Sequence, residues 1–370
     1  MNALTELHGF GQSVWLDYID RHIISSGELA RLIAEGSVHG VTSNPAIFEK
    51  AIGSDPAYAE DLRLHGDTVT DPATLFEQLA IPDIRAAADL LLPVYRNTAR
   101  RDGYVSLEVS PTLAYDTTGT VVEAQRLWAE VARDNLMIKV PATEQGLAAI
   151  TQLIARGINV NVTLLFANTM YQRTVEAWLS GLEQWVANGG DAGRVASVAS
   201  FFISRIDAAA DALLQALNTQ QATALQGKIA IANAKLAYQH YQQFLAGPRW
   251  QQLAAHGAQS QRLLWASTGV KNPAYRDVMY IEELIGADTV NTVPPATLEA
   301  FADHGRVRAS LETDMLAAQE AIDLLDKLGI SLDDITTQLL DKGVNLFADA
   351  YAKLLQAIVR QSSPSNNSGE

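Results

Sequence analysis

Eight short runs rich in β-branched and aromatic residues recur along the chain, separated by longer stretches with helical spacing. The runs are "SVWLDY", "GVTSNP", "YVSLEVS", "LMIKVP", "NVNVTLLF", "VASVASFFI", "RLLWAST" and "DTVNTVP". Helical patterns between them include "SSGELARLIAEG", "TVVEAQRLWAEVARD", "QGLAAITQLIARG" and "NTMYQRTVEAWLSGLEQWVANGG". The first opens with a Ser cap and stops at Gly36; the second and fourth repeat apolar residues at helical intervals. Strands alternating with helices predict a parallel α/β fold, and eight strands close a barrel. An open doubly wound sheet is the structural rival, but it usually places a glycine-rich turn after its first strand, and "WLDYIDRHI" has none. "GGDAG" at 189–193 precedes a strand and is a helix-to-strand turn.

The expected fold is therefore one (β/α)8 TIM barrel over residues 1–360, with extra helices after strand two (45–103, with a start signal at Asp71-Pro72) and after strand six (206–262). A terminal helix carries the apolar stripe Val344, Phe347, Tyr351, Leu354, Leu355 and Ile358 and should pack on the barrel. Residues 361–370, "QSSPSNNSGE", have the composition of a disordered tail.

Composition narrows the chemistry. The 370-residue chain has no cysteine, which excludes disulfides and thiolate catalysis. Its formal charge of -15 argues against nucleic acid or an anionic membrane as partner, and an anionic ligand would need a locally basic site. The seven histidines are scattered without metal-ligand spacing, so no metal is expected. The start lacks a basic segment followed by an apolar core, and no apolar run reaches the length of a membrane span. A cytoplasmic location fits.

Side chains alternate across a strand. In a closed parallel barrel the face under the helices must be apolar, so Val105, Leu107, Ile138, Val140, Val160, Val162 and Leu164 face outward. The other face points Asp17, Asn44, Glu108, Lys139, Asn161, Thr163, Leu165 and Ser200 into the barrel, most of them late in their strands, at the C-terminal mouth where barrel enzymes build their sites. Each has an ordinary reading alone. Asp17 suits a helix cap, Asn44 a turn before Pro45, and a strand lysine an edge. Convergence from several strands is different, because burying so many polar groups without purpose is costly. An amine held among apolar side chains loses part of its preference for the protonated form, and a barrel-interior Lys139 suits Schiff-base chemistry on a carbonyl. Glu108, one strand away, can move protons directly or through a water held by Thr163. Asp17, Asn44 and Asn161 supply hydroxyl-binding groups of the kind a sugar needs. Arg205 beyond strand six, with Ser267 and Lys271 beyond strand seven, would take a phosphate; individually such cations are usually solvated surface charge.

The motifs "GVTSNPAIFEKAI", "MIKVPAT", "NVNVTLLF", "SVASFFISRID", "LLWASTGVKNPAYRD" and "IEELIGADTVNTVPPATL" resemble those of the transaldolase family, in family order, from residue 13 to about residue 300. The resemblance implies a cofactor-free class I enzyme that transfers a dihydroxyacetone unit between sugar phosphates in the pentose phosphate pathway. It implies Lys139 as Schiff-base nucleophile, Glu108 as acid/base through a water placed by Thr163, and Asp17 as a hydroxyl ligand assisting proton transfer at the C3–C4 bond. Asn44, Asn161 and Ser200 would bind the dihydroxyacetone portion, Phe202 would shape the pocket, and Arg205, Ser267 and Lys271 would hold phosphate. One departure is that many relatives carry arginine where Lys271 aligns. The rivals are a fructose-6-phosphate aldolase of the same family and a non-catalytic sugar-phosphate-binding barrel. A monomer or homodimer is expected.

Overall fold

In the computed structural model, which describes residues 2–66 and 71–362, eight parallel strands close into a barrel in sequence order. They are β1 (Gln12–Leu16), β2 (Gly40–Val41), β3 (Tyr104–Glu108), β4 (Leu136–Pro141), β5 (Val160–Leu165), β6 (Ser197–Phe202), β7 (Arg262–Ala266) and β8 (Thr289–Val293). All eight coincide with the runs expected from the sequence. The ladders set the register: Glu108 lies beside Lys139, Lys139 beside Asn161, and Ser200 beside Leu264. Paired residues share a face, so the inward polar positions form one layer and the outward valines and isoleucines pack under the helices.

The expected insertions are helical. Pro45–Ser54 and Pro72–Asn97 follow β2, the latter capped by Asp71, whose carboxylate accepts from the Thr74 amide. Ser204–Leu217, Gln220–Leu225, Ile229–Leu245 and Pro248–Ala255 follow β6.

Three local expectations need correction. The early helix spans Glu28–Ala34, and Gly27, in the left-handed region at φ 83°, takes its N-cap position with no side chain to bond; Gly27 turns the chain sharply out of the preceding helical turn Arg21–Ser25, and the Ser26 hydroxyl accepts from the Glu28 amide at 3.4 Å from one residue further out. The terminal helix, Leu332–Ser362, continues through the first two residues of the expected tail; the remainder, 363–370, lies outside the described residues. Strict alternation along β5 also fails after Thr163. The β5–β6 register shifts between Val162 and Leu165, Leu164 takes φ 60°, and Leu165 pairs with Phe201 on the outward face. A bulge inserts one residue and reverses the faces beyond it.

The terminal helix crosses the mouth at this bulge. Its stripe is buried at Val344, Phe347, Leu354 and Ile358 and partly buried at Tyr351 and Leu355. Gly343 permits the approach, since a Cβ there would lie 2.9 Å from a Leu164 methyl. One turn beyond Phe347, Tyr351 meets Phe76 edge-on at 5.9 Å, and Phe76 meets Phe48 at 5.3 Å, tying the helix to Pro72–Asn97 and Pro45–Ser54.

The opposite end of the barrel is closed by a buried ion pair. Arg262 reaches Asp102 at 2.9 Å, while Ser13 and Trp15 donate to the same carboxylate at 2.6 and 2.9 Å. Burial opposes ionisation of Asp102, but Arg262, Ser13 and Trp15 outweigh it and hold the carboxyl below its ordinary value.

Candidate active site

The strand ends deliver their polar residues to one cavity of about 490 Å³ at the C-terminal mouth, a size suited to a small ligand. Asp17, Asn44, Lys139, Thr163, Ser200, Phe202, Arg205, Ser267 and Lys271 all line it. Two expected site residues do not. Glu108 sits behind Lys139, beside a smaller apolar-walled void of about 20 Å³. Asn161 lies beneath the floor, fully buried.

Lys139 is 5% exposed. Its Nζ donates to the Ser43 carbonyl at 3.0 Å and stands 3.8 Å from Glu108 Oε2, ion-pair distance but longer than a hydrogen bond. Burial pushes the Glu108 carboxyl up to about 7, against the pull of Lys139 and with help from the negative charge of Asp17. Burial likewise raises Asp17, opposed by Lys139 and by the Thr42 hydroxyl, which donates to it at 2.7 Å. Asp17 caps no helix; Asp20 performs that task for Arg21–Ser25. Glu108 Oε2 and Thr163 Oγ1 are both buried with no hydrogen-bond partner among the described residues, an arrangement that is costly unless something polar engages them.

Asn161 and Ser200 support each other: the Ser200 hydroxyl donates to the Asn161 carbonyl at 2.7 Å, and the Asn161 amide donates to Ser106 Oγ at 3.0 Å. Asn44 has a double placement. It lines the cavity and also caps helix Pro45–Ser54, accepting from the Ile47 amide at 3.1 Å. Its turn role and its site role therefore coexist.

At the far side of the cavity the Arg205 guanidinium lies 5.4 Å over the Phe202 ring, a cation–π placement; burial lowers its pKa from the ordinary value. Ser267, at φ 56°, shares a 2.9 Å hydrogen bond with Ser204, and its carbonyl accepts from the Ser204 amide. Lys271 is exposed on the rim. The loop carrying it is pinned by Tyr275, whose hydroxyl donates to Asp211 at 2.6 Å, with the ring against Gly227.

Among the cavity-lining residues that sequence reasoning passed over, three bear directly on its chemistry. Thr42, two residues before Asn44 in "GVTSNP" and so on the same strand face, has a hydroxyl that bridges Asp17 and Thr292. Lys50 lies on the rim, and "IFEKAI" offers only an exposed helical lysine. Phe347 arrives from the terminal helix and holds its ring 5.7 Å from Lys139 Nζ. Its periodicity marked it as buried, but periodicity does not say against what.

Among known proteins, the chain matches the family model described as Transaldolase/Fructose-6-phosphate aldolase over residues 14–358. Curated relatives include Transaldolase of Thiobacillus denitrificans, 48% identical across 97% of this chain and 100% of its own length. Transaldolase 2 of Nostoc punctiforme is 48% identical across 96% and 97%, and Transaldolase 1 of Streptomyces avermitilis 47% across 99% and 97%.

Proposed function

The chain belongs to the transaldolase/fructose-6-phosphate aldolase family, and from that premise we propose that it is a transaldolase, a transferase that moves a dihydroxyacetone unit between sugar phosphates through a Schiff base on Lys139. The observation that carries the reading is the buried amine of Lys139, which faces a sugar-sized cavity, has two carboxylates near it, and has two cations at the other side.

Lys139 attacks the ketose C2 carbonyl, and the carbinolamine loses its oxygen as water to leave an iminium. Glu108, poised near neutral pH, supplies and recovers the protons of that dehydration. It reaches the reacting carbon through a water bound between its free Oε2 and the free hydroxyl of Thr163. Asp17, oriented by Thr42, then takes the C4 hydroxyl proton as the C3–C4 bond breaks. The bonding pair moves into the iminium to give an enamine, and an aldose phosphate leaves. An incoming aldose phosphate reverses the sequence. Sedoheptulose 7-phosphate and glyceraldehyde 3-phosphate thereby become erythrose 4-phosphate and fructose 6-phosphate, the exchange of the pentose phosphate pathway. Asn44 and Ser200 bind the three-carbon unit, Asn161 holds Ser200 in place, and Phe202 bounds the pocket. Arg205, Ser267 and Lys271 hold the phosphate.

The test is borohydride reduction in the presence of fructose 6-phosphate, followed by peptide mass spectrometry, with Lys139→Met alongside. A three-carbon adduct on Lys139 that is lost in the variant is expected. Absence of the adduct, or its appearance on another lysine, overturns the assignment.

A further inference from the structure

A bound dihydroxyacetone enamine has two fates. Its nucleophilic carbon can attack an aldehyde acceptor, which is transfer. Alternatively that carbon takes a proton, water adds to C2 of the resulting iminium, and the C–N bond breaks to release dihydroxyacetone and the Lys139 amine. Both fates start from one intermediate, so their ratio depends on how well water is kept from the adduct. This rests on the Schiff-base reading above.

The barrel strands cannot supply that exclusion alone. Most of their inward residues at the mouth, Asp17, Thr42, Glu108, Thr163 and Ser200, attract water, and of the apolar ones Phe202 is engaged with Arg205 while Ala266 is small. The apolar contribution directly over Nζ comes from outside the barrel, as the Phe347 ring at 5.7 Å. Phe347 is 7% exposed and lines the same cavity as Lys139. Its position is held on both sides. One turn before it, Gly343 lies against Leu164 on the bulge that follows Thr163. One turn after it, Tyr351 is fixed against Phe76. A helix secured at both neighbouring turns has little freedom to withdraw the ring. The ring also presents a π face to the nitrogen, which carries positive charge in the iminium.

We propose that Phe347 is a specificity-determining residue: it keeps bulk water from the Lys139 adduct and so sets the ratio of transfer to release. Its role differs from that of Phe202, which packs against Arg205 on the other side of the cavity.

The experiment measures two rates on each enzyme form: transfer from fructose 6-phosphate to erythrose 4-phosphate, and dihydroxyacetone release from fructose 6-phosphate without acceptor. Phe347→Ala should raise the release-to-transfer ratio by about tenfold, the scale expected when a protected intermediate gains access to water. Phe347→Leu keeps apolar bulk and the helix contacts, so it should fold even where the alanine variant does not, and raise the ratio by a smaller factor, about threefold. Borohydride trapping on the same samples reports whether the Lys139 adduct still forms. An adduct with an unchanged ratio in Phe347→Leu, both rates falling together, overturns the inference and leaves Phe347 a packing residue. No adduct in the unsubstituted protein overturns the Schiff-base reading, and this inference falls with it.

Discussion

Glu108 is where burial and charge pull hardest on a single side chain. Its carboxyl, near 7 in the folded protein against an ordinary 4.5, holds a proton that the unfolded chain releases earlier. The stabilisation from that proton is complete below about pH 4.5 and is lost as pH rises through about 7. Glu108→Gln should therefore lose less stability than the unsubstituted protein between those pH values, which denaturant titrations across the range will read. The same change should cost about 10²- to 10⁴-fold in kcat/KM and remove a break near pH 7 from its pH profile. Asp17 shifts in the same direction, so Asp17→Asn should also flatten the fall of stability with rising pH. Much at this scale was legible in the sequence, because period-two alternation is enough to put Asp17, Glu108, Lys139, Thr163 and Ser200 on one face. What alternation lacks is distance. It gives Asn161 the same standing as Ser200, although Asn161 spends its amide and carbonyl on Ser106 and Ser200 beneath the floor. It also fails at Leu165, because a bulge has no fixed pattern in residue type.

At the level of elements, the site depends on how loops and helices are pinned. Tyr275 fixes the loop bearing Lys271 through one hydrogen bond to a helix that also carries Arg205. Tyr275→Phe should raise KM for phosphorylated substrates several-fold, with kcat little changed, because a single hydrogen bond to a charged partner is worth about 1.5–3 kcal/mol. Equal losses in kcat and kcat/KM would place Tyr275 in the chemistry instead. The terminal helix illustrates the limit of sequence reading for elements. Its stripe identified a buried face from Val344 to Ile358, but the destination is a tertiary fact: it requires Gly343 to clear Leu164 and Tyr351 to find Phe76. The early Ser cap is displaced for a related reason, since Gly27 at positive φ takes the N-cap position and starts the helix one residue later than Ser26 as cap suggests.

The whole molecule divides its labour between the two ends of the barrel. Asp102, Arg262, Ser13 and Trp15 close the N-terminal end, far along the strands from Lys139. Asp102→Ala leaves Arg262 buried without its partner and should lower unfolding free energy by about 3–5 kcal/mol, measured by denaturant titration. The folded fraction should retain its transfer rate. Net charge acts over the same distance. With -15 on the chain and Arg205, Lys271 and Lys50, which form no ion pair among the described residues, around the cavity, attraction of phosphate is local and open to screening. Raising salt should increase KM for sugar phosphates, and Lys271→Ala should weaken that dependence. The closed barrel itself was the most legible feature, because eight strands separated by helices leave few architectures. The order in which those parts are made adds a temporal consequence. Lys139 and every strand leave the ribosome before the 31 residues that cover the mouth. At typical synthesis rates, about 5–20 residues per second, each new molecule passes through an interval of a few seconds in which the proposed nucleophile has been built and the helix over it has not.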